Sequence, residues 1–212
     1  MERRNKVKKL LATFFCLLFL VGACNVHREI YTENDVSVLL PAIQIEEDQF
    51  PFKKLSAEVE KLLPSELDFN TVIITGACGQ IDDFRSGILY YKYFRKGRGL
   101  FLWKEYPIEY TVTVNINSLE ASVESLERNE YYTPQPSRLP DDQEFNDSIK
   151  LIRQKMKIDF LDKDDCKYTI STFGDIWLVT LWPGANSDFE KAKKFCINTE
   201  TGIITDPCDY KE

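Results

Sequence analysis

The sequence predicts an α+β fold in which antiparallel meander sheets pack against amphipathic helices, after a cleaved signal peptide. Three observations support this prediction. The first 24 residues combine a basic head with a short apolar run. Two later segments carry apolar residues at helical spacing. Several others alternate apolar and polar residues, or are rich in β-branched and aromatic residues, and turn residues separate them.

The leader, residues 1–23, is typical of a secretory signal peptide. Its apolar run, residues 10–23, has 14 residues, fewer than the roughly 20 that a membrane-spanning helix needs. The segment Val21-Gly22-Ala23-Cys24 that ends it resembles the lipobox of bacterial lipoproteins. This resemblance implies diacylglyceryl on the Cys24 sulfur and a third acyl chain on the new amino terminus, and two or more chains anchor a protein stably. Asn25, where enteric bacteria use Asp for inner-membrane retention, favours the outer membrane, on its periplasmic face or at the cell surface.

Two alternatives to lipidation remain open. Ordinary signal peptidase would cut after Ala23, or the segment would stay uncleaved as a short anchor. The chain has six cysteines, of which Cys16 leaves with the leader. Ordinary cleavage would leave five, an odd number in an oxidising compartment, whereas lipidation of Cys24 leaves four to pair. The cysteine count therefore favours lipidation.

Residues 24–49 are predicted to form a lipidated tether that contains a short strand at residues 36–40. Residues 50–128 are predicted to form an N-terminal α+β half. This half opens with a helix over residues 56–64, where apolar residues share one side and Ser56 is the predicted N-cap.

The β-rich part of this half begins with a strand at residues 71–75. Two aromatic strands, residues 88–95 and 100–104, are predicted to pair as a hairpin across Lys96-Gly97-Arg98-Gly99. Residues 108–116 alternate clearly and predict a further strand.

Residues 117–126 have two interpretations. Asn117 with Glu120 resembles a capping box that opens a helix, while continued alternation indicates a longer strand. Residues 129–144 hold three prolines and few aliphatic residues, which predicts a linker or an extended surface crossing.

Residues 145–212 are predicted to form a C-terminal half with a helix and a β-meander. The helix covers residues 145–160, with Asn146 or Asp147 as its cap. Two strand pairs follow, one across Phe173-Gly174 and one across Glu200-Thr201-Gly202. The order of elements echoes the first half, which indicates either a divergent tandem repeat or a common way to build an α+β sheet.

The C-terminal half resembles PepSY-type domains and the cystatin-like, nuclear-transport-factor-like immunity proteins of bacterial toxin systems. Three segments carry the resemblance: the helix at residues 148–157, Gly174-Asp175-Ile176-Trp177-Leu178-Val179, and Cys196-INTETGII-Thr205. It covers about a quarter of the chain. Gly202 would supply a turn and Trp177 would fill core. The resemblance implies a fold and, through the immunity proteins, binding of a protein toxin.

Four cysteines, Cys78, Cys166, Cys196 and Cys208, are candidates for disulfides. In an up-and-down meander the start of one strand lies beside the end of the next, so the last three are expected to gather at one edge of the sheet. Three pairings are possible. We favour one bridge within this trio and a second that joins its remaining member to Cys78. A metal site is the alternative, which the lack of CxxC spacing disfavours.

Composition argues against several classes of function. Without its leader the chain has 22 basic and 33 acidic residues, a formal charge of about −11, which opposes binding to nucleic acid and electrostatic adhesion to anionic lipid. The single histidine, His27, lies three residues after Cys24, so the folded region lacks the commonest general base. No nucleophile elbow, P-loop, HExxH or dinucleotide motif occurs. We expect no enzyme, no cofactor and no metal.

The aromatic hairpin is the candidate surface for a protein partner. Its aromatic residues alternate with cations, and Tyr, Trp and Arg are frequent anchors at interfaces. The candidate contact residues are Tyr91, Tyr93, Arg95, Arg98 and Trp103. The alternative is a hairpin with one buried aromatic face and solvated cations.

The sequence thus predicts an envelope lipoprotein, attached to the membrane through lipid on Cys24, that acts as a non-enzymatic protein-binding module. An immunity or inhibitor lipoprotein is one form of this function. The alternatives are a structural or assembly accessory of the envelope and a hydrolase that uses carboxylates alone.

Overall fold

The computed structural model describes residues 31–44, 49–78, 87–96, 99–100, 103–104, 107–127, 135–160, 166–182, 192–206 and 208. Tyr31–Glu212 forms one compact unit. The predicted signal peptide, the lipobox and the lipid-attachment residue Cys24 lie outside the described ranges. Within those ranges, no helix has the length and apolar character needed to cross a membrane.

The described residues form two helices and eleven strands. The helices are α1 (Phe52–Glu60) and α2 (Asp142–Phe160). The strands are β1 (Tyr31–Leu39), β2 (Asp68–Ala77), β3 (Ile88–Arg95), β4 (Gly99–Leu100), β5 (Trp103–Lys104), β6 (Ile108–Asn115), β7 (Glu120–Glu127), β8 (Lys167–Phe173), β9 (Ile176–Trp182), β10 (Lys193–Asn198) and β11 (Ile204–Thr205).

Nine strands form one antiparallel sheet in the order β1-β7-β6-β3-β2-β8-β9-β10-β11, while β4 and β5 pair with each other. The predicted α+β class, with an antiparallel sheet packed against helices, is confirmed. β2 and β8 meet at the centre, where Ile74 lies opposite Ile170. From there β2, β3, β6 and β7 step outward on one side, and β8, β9, β10 and β11 on the other. Each side of this centre is thus a meander of four strands that follows one helix, and β1 extends the first side beyond β7.

The core lies between the helices and one face of this sheet. Phe52 of α1 stacks on Phe145 of α2 with ring centroids 4.2 Å apart. Phe52 also stacks with Tyr91 of β3 at 5.8 Å, and Phe145 meets the edge of Trp177 of β9 at 5.7 Å. All four rings are buried. Since β3 and β9 hold matching positions on the two sides of the sheet, each half contributes one helix ring and one strand ring to this centre.

Strand β1 occupies part of the predicted tether, residues 24–49. It extends the predicted strand at 36–40 toward the N-terminus and pairs with β7, with Tyr31 opposite Leu126. Six residues therefore separate Cys24 from the first strand of the sheet.

Helix α1 begins at Phe52, and Ser56 is not its cap. The N–H of Lys53 instead donates to Asp142 Oδ1 of α2 at 2.6 Å. Asn146 Oδ1 accepts from the Phe50 N–H at 2.9 Å, and Asn146 Nδ2 donates to the Phe50 carbonyl at 3.1 Å. The Ser56 hydroxyl donates at 2.8 Å to the carbonyl one turn earlier. The prediction of Ser56 as a local cap was wrong, because backbone N–H groups at and just before the N-terminal end of α1 bind side chains of α2 instead.

The hairpin predicted between residues 88–95 and 100–104 does not form. β3 pairs with β2 on one side and with β6 on the other, over eight positions from Ile88 opposite Asn115 to Arg95 opposite Ile108. The intervening β4 and β5 form a small separate ladder. Pairing of β3 with the eight-residue strand β6 is more stable than pairing with a two-residue strand, because each further residue pair adds backbone hydrogen bonds and cross-strand side-chain contacts.

Neither interpretation of residues 117–126 holds as stated: the segment is strand rather than helix, and a turn at residues 116–119 separates it from β6 as the antiparallel strand β7. Asn115, rather than Asn117, holds the turn: its Oδ1 accepts from the N–H of Asn117 at 3.0 Å and of Ser118 at 3.3 Å. Leu119 completes the turn at φ 55°, and Glu120 then pairs with Asn115.

The described part of the predicted linker 129–144 is bound to both halves. The Ser137 N–H donates to the Phe69 carbonyl of β2 at 2.8 Å. The Ser137 hydroxyl accepts from the Gly174 N–H, in the β8–β9 turn, at 2.8 Å. Asn70 Nδ2 donates to the Gln135 carbonyl at 2.9 Å. We call residues 135–140 the strap, because they cross from one half of the sheet to the other.

Helix α2 begins within the predicted linker, at Asp142. Asp141 Oδ1 accepts from the Glu144 N–H at 2.8 Å, so Asp141 caps the helix. The prediction of Asn146 or Asp147 as the cap was wrong. Asn146 instead forms hydrogen bonds with the backbone of Phe50, just before α1.

The C-terminal meander agrees with the prediction. β8 pairs with β9 across a turn in which Gly174 has φ 57°, and β10 pairs with β11 across a turn in which Gly202 has φ 67°. Both turns need a left-handed residue, which glycine supplies without steric cost.

Candidate functional site

Two cysteine pairs lie at disulfide distance, and both connect elements of the sheet. Cys78 pairs with Cys166, with Cα atoms 5.2 Å apart, just beyond the last ladder pair of β2 and β8. Cys196 of β10 pairs with Cys208, also at a Cα separation of 5.2 Å. One bridge thus lies within the C-terminal trio, and the other joins Cys78 to the remaining member, as the sequence analysis favoured.

These pairs bear on the role of Cys24. The chain has six cysteines, of which Cys16 lies inside the predicted leader. The other four are paired with one another, so none of them is a disulfide partner for Cys24.

Tyr91 and Tyr93 lie in the core, and the prediction that they contact a partner is wrong. Tyr91 is 0% exposed and Tyr93 is 3% exposed. The Ser56 hydroxyl oxygen of α1 lies 3.3 Å from the Tyr91 phenol oxygen, and the Tyr93 hydroxyl donates to Glu60 Oε1 at 3.4 Å. Burial raises the pKa of both phenols above the ordinary value. These tyrosines bind α1 to the sheet.

The remaining candidates of the aromatic segment lie at or beyond the end of β3. Arg95 and its neighbour Lys96 are exposed. Trp103 lies in β5, where its backbone pairs with Leu100. Arg98 lies outside the described residues. The structure therefore separates Tyr91 and Tyr93, which are buried on β3, from the exposed Arg95 at the end of that strand and from Trp103 in the separate β4–β5 ladder.

An ion pair joins the strands on the sheet face opposite the two tyrosines. Lys92 Nζ lies 3.0 Å from Glu109 Oε1, and the side chains are 26% and 4% exposed. A carboxylate this deeply buried needs a close cation, and Lys92 supplies one for Glu109.

Arg138 is a central residue that the sequence analysis did not identify. From the strap it donates to both carboxylate oxygens of Glu144 at 2.6 and 3.0 Å, and to Asp175 Oδ1 at 2.6 Å. Glu144 also accepts from the Thr199 hydroxyl at 2.8 Å. Hydrogen bonds to Glu144 and to Asp175 raise the pKa of Arg138. The network joins the strap, α2 and two turns of the C-terminal half.

The polar side chains described above form hydrogen bonds and ion pairs that connect helices, strands and turns of the fold. Among the described residues, no group of three or more His, Cys, Asp or Glu side chains is placed to hold a metal ion. The groups with displaced pKa values are the phenols of Tyr91, Tyr93 and Tyr168 and the ion-paired Arg138. Each holds one element of the fold against another.

No family of known proteins, no curated protein sequence and no solved structure matches this chain.

Proposed function

We propose that this protein is a lipid-anchored lipoprotein of the bacterial envelope that acts as a non-enzymatic protein-binding module. The observation that carries the proposal is the pairing of Cys78 with Cys166 and of Cys196 with Cys208. It means that none of these four is a disulfide partner for Cys24, the last residue of a lipobox-like segment. Lipid on Cys24 is the chemistry that fits this position.

Charge supports a basic protein as the partner. Without its leader the chain has a formal charge of about −11, and complementary charge speeds and orients association between proteins. The resemblance of the C-terminal half to immunity proteins suggests a toxin, intercepted at the membrane, as one such partner. Asn25 supports the outer membrane as the site of anchoring.

Cross-linking in the native envelope tests this proposal. The full chain with a C-terminal tag is expressed in its own cell, cross-linked mildly and purified, and the captured proteins are identified by mass spectrometry. We expect acyl mass on Cys24 and one near-stoichiometric protein. A Cys24→Ser chain is expected to lack the acyl mass, while Lys150→Gln, a change at an exposed site of α2, serves as a control that keeps it.

Two results would contradict the proposal. An unmodified Cys24 in the mature wild-type protein would exclude lipid anchoring. Acylated protein recovered alone, at cross-linker levels that capture other envelope complexes in the same cells, would exclude a resident protein partner.

A further inference from the structure

The Cys78–Cys166 bridge lies where the two central strands of the sheet meet. It follows directly on the ladder between β2 and β8, which pair at five positions. Both cysteines are buried, and the Cys78 N–H donates to the Cys166 carbonyl at 2.8 Å. The central ladder therefore holds these two residues together independently of their bridge.

The Cys196–Cys208 bridge lies at the edge of the sheet. β11 is the last strand in the sheet order and pairs with β10 at two positions. Beyond β11 the chain stays beside β10: the Cys208 N–H donates to the Lys194 carbonyl at 3.3 Å, and the half-buried Cys208 bridges to the buried Cys196. We call Ile203–Asp206 together with Cys208 the cover segment, because it lies along the side of β10 that does not pair with β9.

Among the described residues, the cover segment has few stabilising contacts besides its bridge. Ile203 is 62% exposed, and Thr205 and Asp206 are exposed as well. Ile204 packs against the core and is only partly buried. The Asp206 carboxylate lies 3.2 Å from Lys155 Nζ of α2, and an ion pair at the surface adds little. Ordering a chain end costs conformational entropy for every residue, so a two-position ladder needs the bridge to keep the cover segment docked.

Accessibility favours reduction of the Cys196–Cys208 bridge before the other. Thiol–disulfide exchange requires that a thiolate reach one of the two sulfurs. Cys208 is half-buried, whereas Cys78, Cys166 and Cys196 are buried. A dithiol reductant would attack Cys208 Sγ, form a mixed disulfide and release the Cys196 thiolate, which takes up a proton. The second thiol of the reductant would then displace Cys208, so that the protein gains two electrons and two protons and the dithiol becomes a disulfide.

We propose that the Cys196–Cys208 bridge is a redox-sensitive latch at the edge of the sheet. Its reduction by a dithiol frees the cover segment, and β10 becomes the edge strand. The Cys78–Cys166 bridge and the other eight strands of the sheet stay intact in this state. The backbone N–H and C=O groups on the freed side of β10 then face solvent, so the redox state of the bridge controls whether this edge is covered. The latch depends neither on lipid at Cys24 nor on the partner proposed above.

Graded reduction of the folded protein tests the selectivity of the latch. The protein purified from its own cell is incubated with increasing concentrations of dithiothreitol, free thiols are alkylated, and the alkylated cysteines are identified by mass spectrometry. We expect alkylation of Cys196 and Cys208 at concentrations that leave Cys78 and Cys166 bridged.

Hydrogen exchange on the same samples tests release of the cover segment. The reporter is the Asn198 amide, which donates to the Ile203 carbonyl at 3.0 Å. Its protection is expected to fall by up to about 100-fold on reduction, which is the loop-closure contribution of a bridge with a sequence separation of 12. Protection of the Cys78 amide, at the central ladder, is expected to remain.

A paired substitution removes the latch without a reductant. Cys196→Ser with Cys208→Ser is expected to show the same loss of protection at the Asn198 amide. The matched control is Asp206→Asn, which removes the exposed ion pair, keeps the bridge and is expected to leave that protection nearly unchanged. Reduction of the wild-type protein gives the answer even where the serine variant does not fold.

Three results would overturn the inference. Unchanged protection of the Asn198 amide after alkylation of Cys196 and Cys208 would mean that the two-position ladder holds the cover segment by itself. Alkylation of Cys78 and Cys166 at the same dithiothreitol concentration would exclude a selective latch. Loss of the far-UV circular dichroism of the sheet, with the Cys78–Cys166 bridge still formed, would mean that the outer bridge supports the whole sheet rather than its edge.

Discussion

The tyrosines on the strands of this protein that are buried against other elements stabilise the fold and do not form a binding surface. Tyr91 and Tyr93 face α1 and hold it, although their sequence context resembles an interface anchor. Tyr168 of β8 is also buried, and its ring covers Gly76 of β2, where a Cβ would lie 2.6 Å from the Tyr168 hydroxyl oxygen. A sequence shows which residues share a strand face, but which face the helices cover depends on the whole sheet.

The buried phenols make stability sensitive to alkaline pH. Burial raises the pKa of Tyr168 from 10.0 to about 12. The folded protein therefore holds this proton more tightly than the unfolded chain, and the stabilisation is present below pH 10 and is lost as pH rises through about 12. We expect the free energy of unfolding in urea to fall across this range. Tyr168→Phe, which keeps the ring and cannot ionise, is expected to reduce the slope, and an unchanged slope would contradict this assignment.

At the scale of elements, the N-terminal ends of the two helices are stabilised differently, one by a local cap and the other by contacts with a distant element. α2 has a local cap, since Asp141 accepts from the Glu144 N–H. α1 has no side-chain cap of its own. Asp142 of α2 accepts from the Lys53 N–H in its first turn, and Asn146 of α2 accepts from the N–H of Phe50, just before the helix. The two helices are thereby joined where Phe52 stacks on Phe145.

Removing the side chains that connect α2 to the start of α1 is expected to destabilise the protein. Asn146→Ala removes two hydrogen bonds to the Phe50 backbone and should lower the free energy of unfolding by about 1–2 kcal/mol. Asp142→Ala should cost about 1 kcal/mol by the same reasoning. Asp147→Ala, at an exposed position of the same helix, is the matched control and should be nearly neutral. Equal effects in urea unfolding for all three variants would show that the contact contributes nothing.

The elements that the sequence predicted well are those whose signals are local. Alternation located β6, and runs of β-branched and aromatic residues located β2 and β3. Glycine at the left-handed positions Gly174 and Gly202 located the two C-terminal turns. The predictions were wrong where a residue or strand outside the segment determines the structure that the segment adopts. β3 pairs with β6 rather than with the nearer β4–β5 segment, and the capping signal at Asn117 yields to the turn held by Asn115. For the candidate site, the meander order predicted that Cys166, Cys196 and Cys208 gather at one sheet edge, which favoured the observed pairing scheme. Arg138 has partners that only the folded chain brings together.

At the scale of the molecule, the two halves form one structure rather than two joined domains. Side chains complete the central junction of β2 and β8: the Thr71 hydroxyl donates to the Thr172 carbonyl at 2.6 Å, and the Thr172 hydroxyl accepts from the Val72 N–H at 3.1 Å. The four-strand meanders on the two sides of this junction fit a tandem repeat and a common α+β arrangement equally, so both interpretations of the sequence stay open. Shared core and shared sheet together imply that the halves unfold in one cooperative transition.

The two disulfides test this cooperativity, because they close loops of very different length. The Cys78–Cys166 bridge spans 88 residues across both halves, and the Cys196–Cys208 bridge spans 12 residues within one. Loop-closure entropy predicts that paired Cys→Ser changes cost ~4.6 kcal/mol for the first and ~2.8 kcal/mol for the second. If the sheet is one unit, urea unfolding of either variant remains a single transition that coincides by far-UV circular dichroism and by tryptophan fluorescence. Two separated transitions after loss of Cys78–Cys166 would mean that the halves fold independently and that the bridge, rather than the β2–β8 junction, unites them.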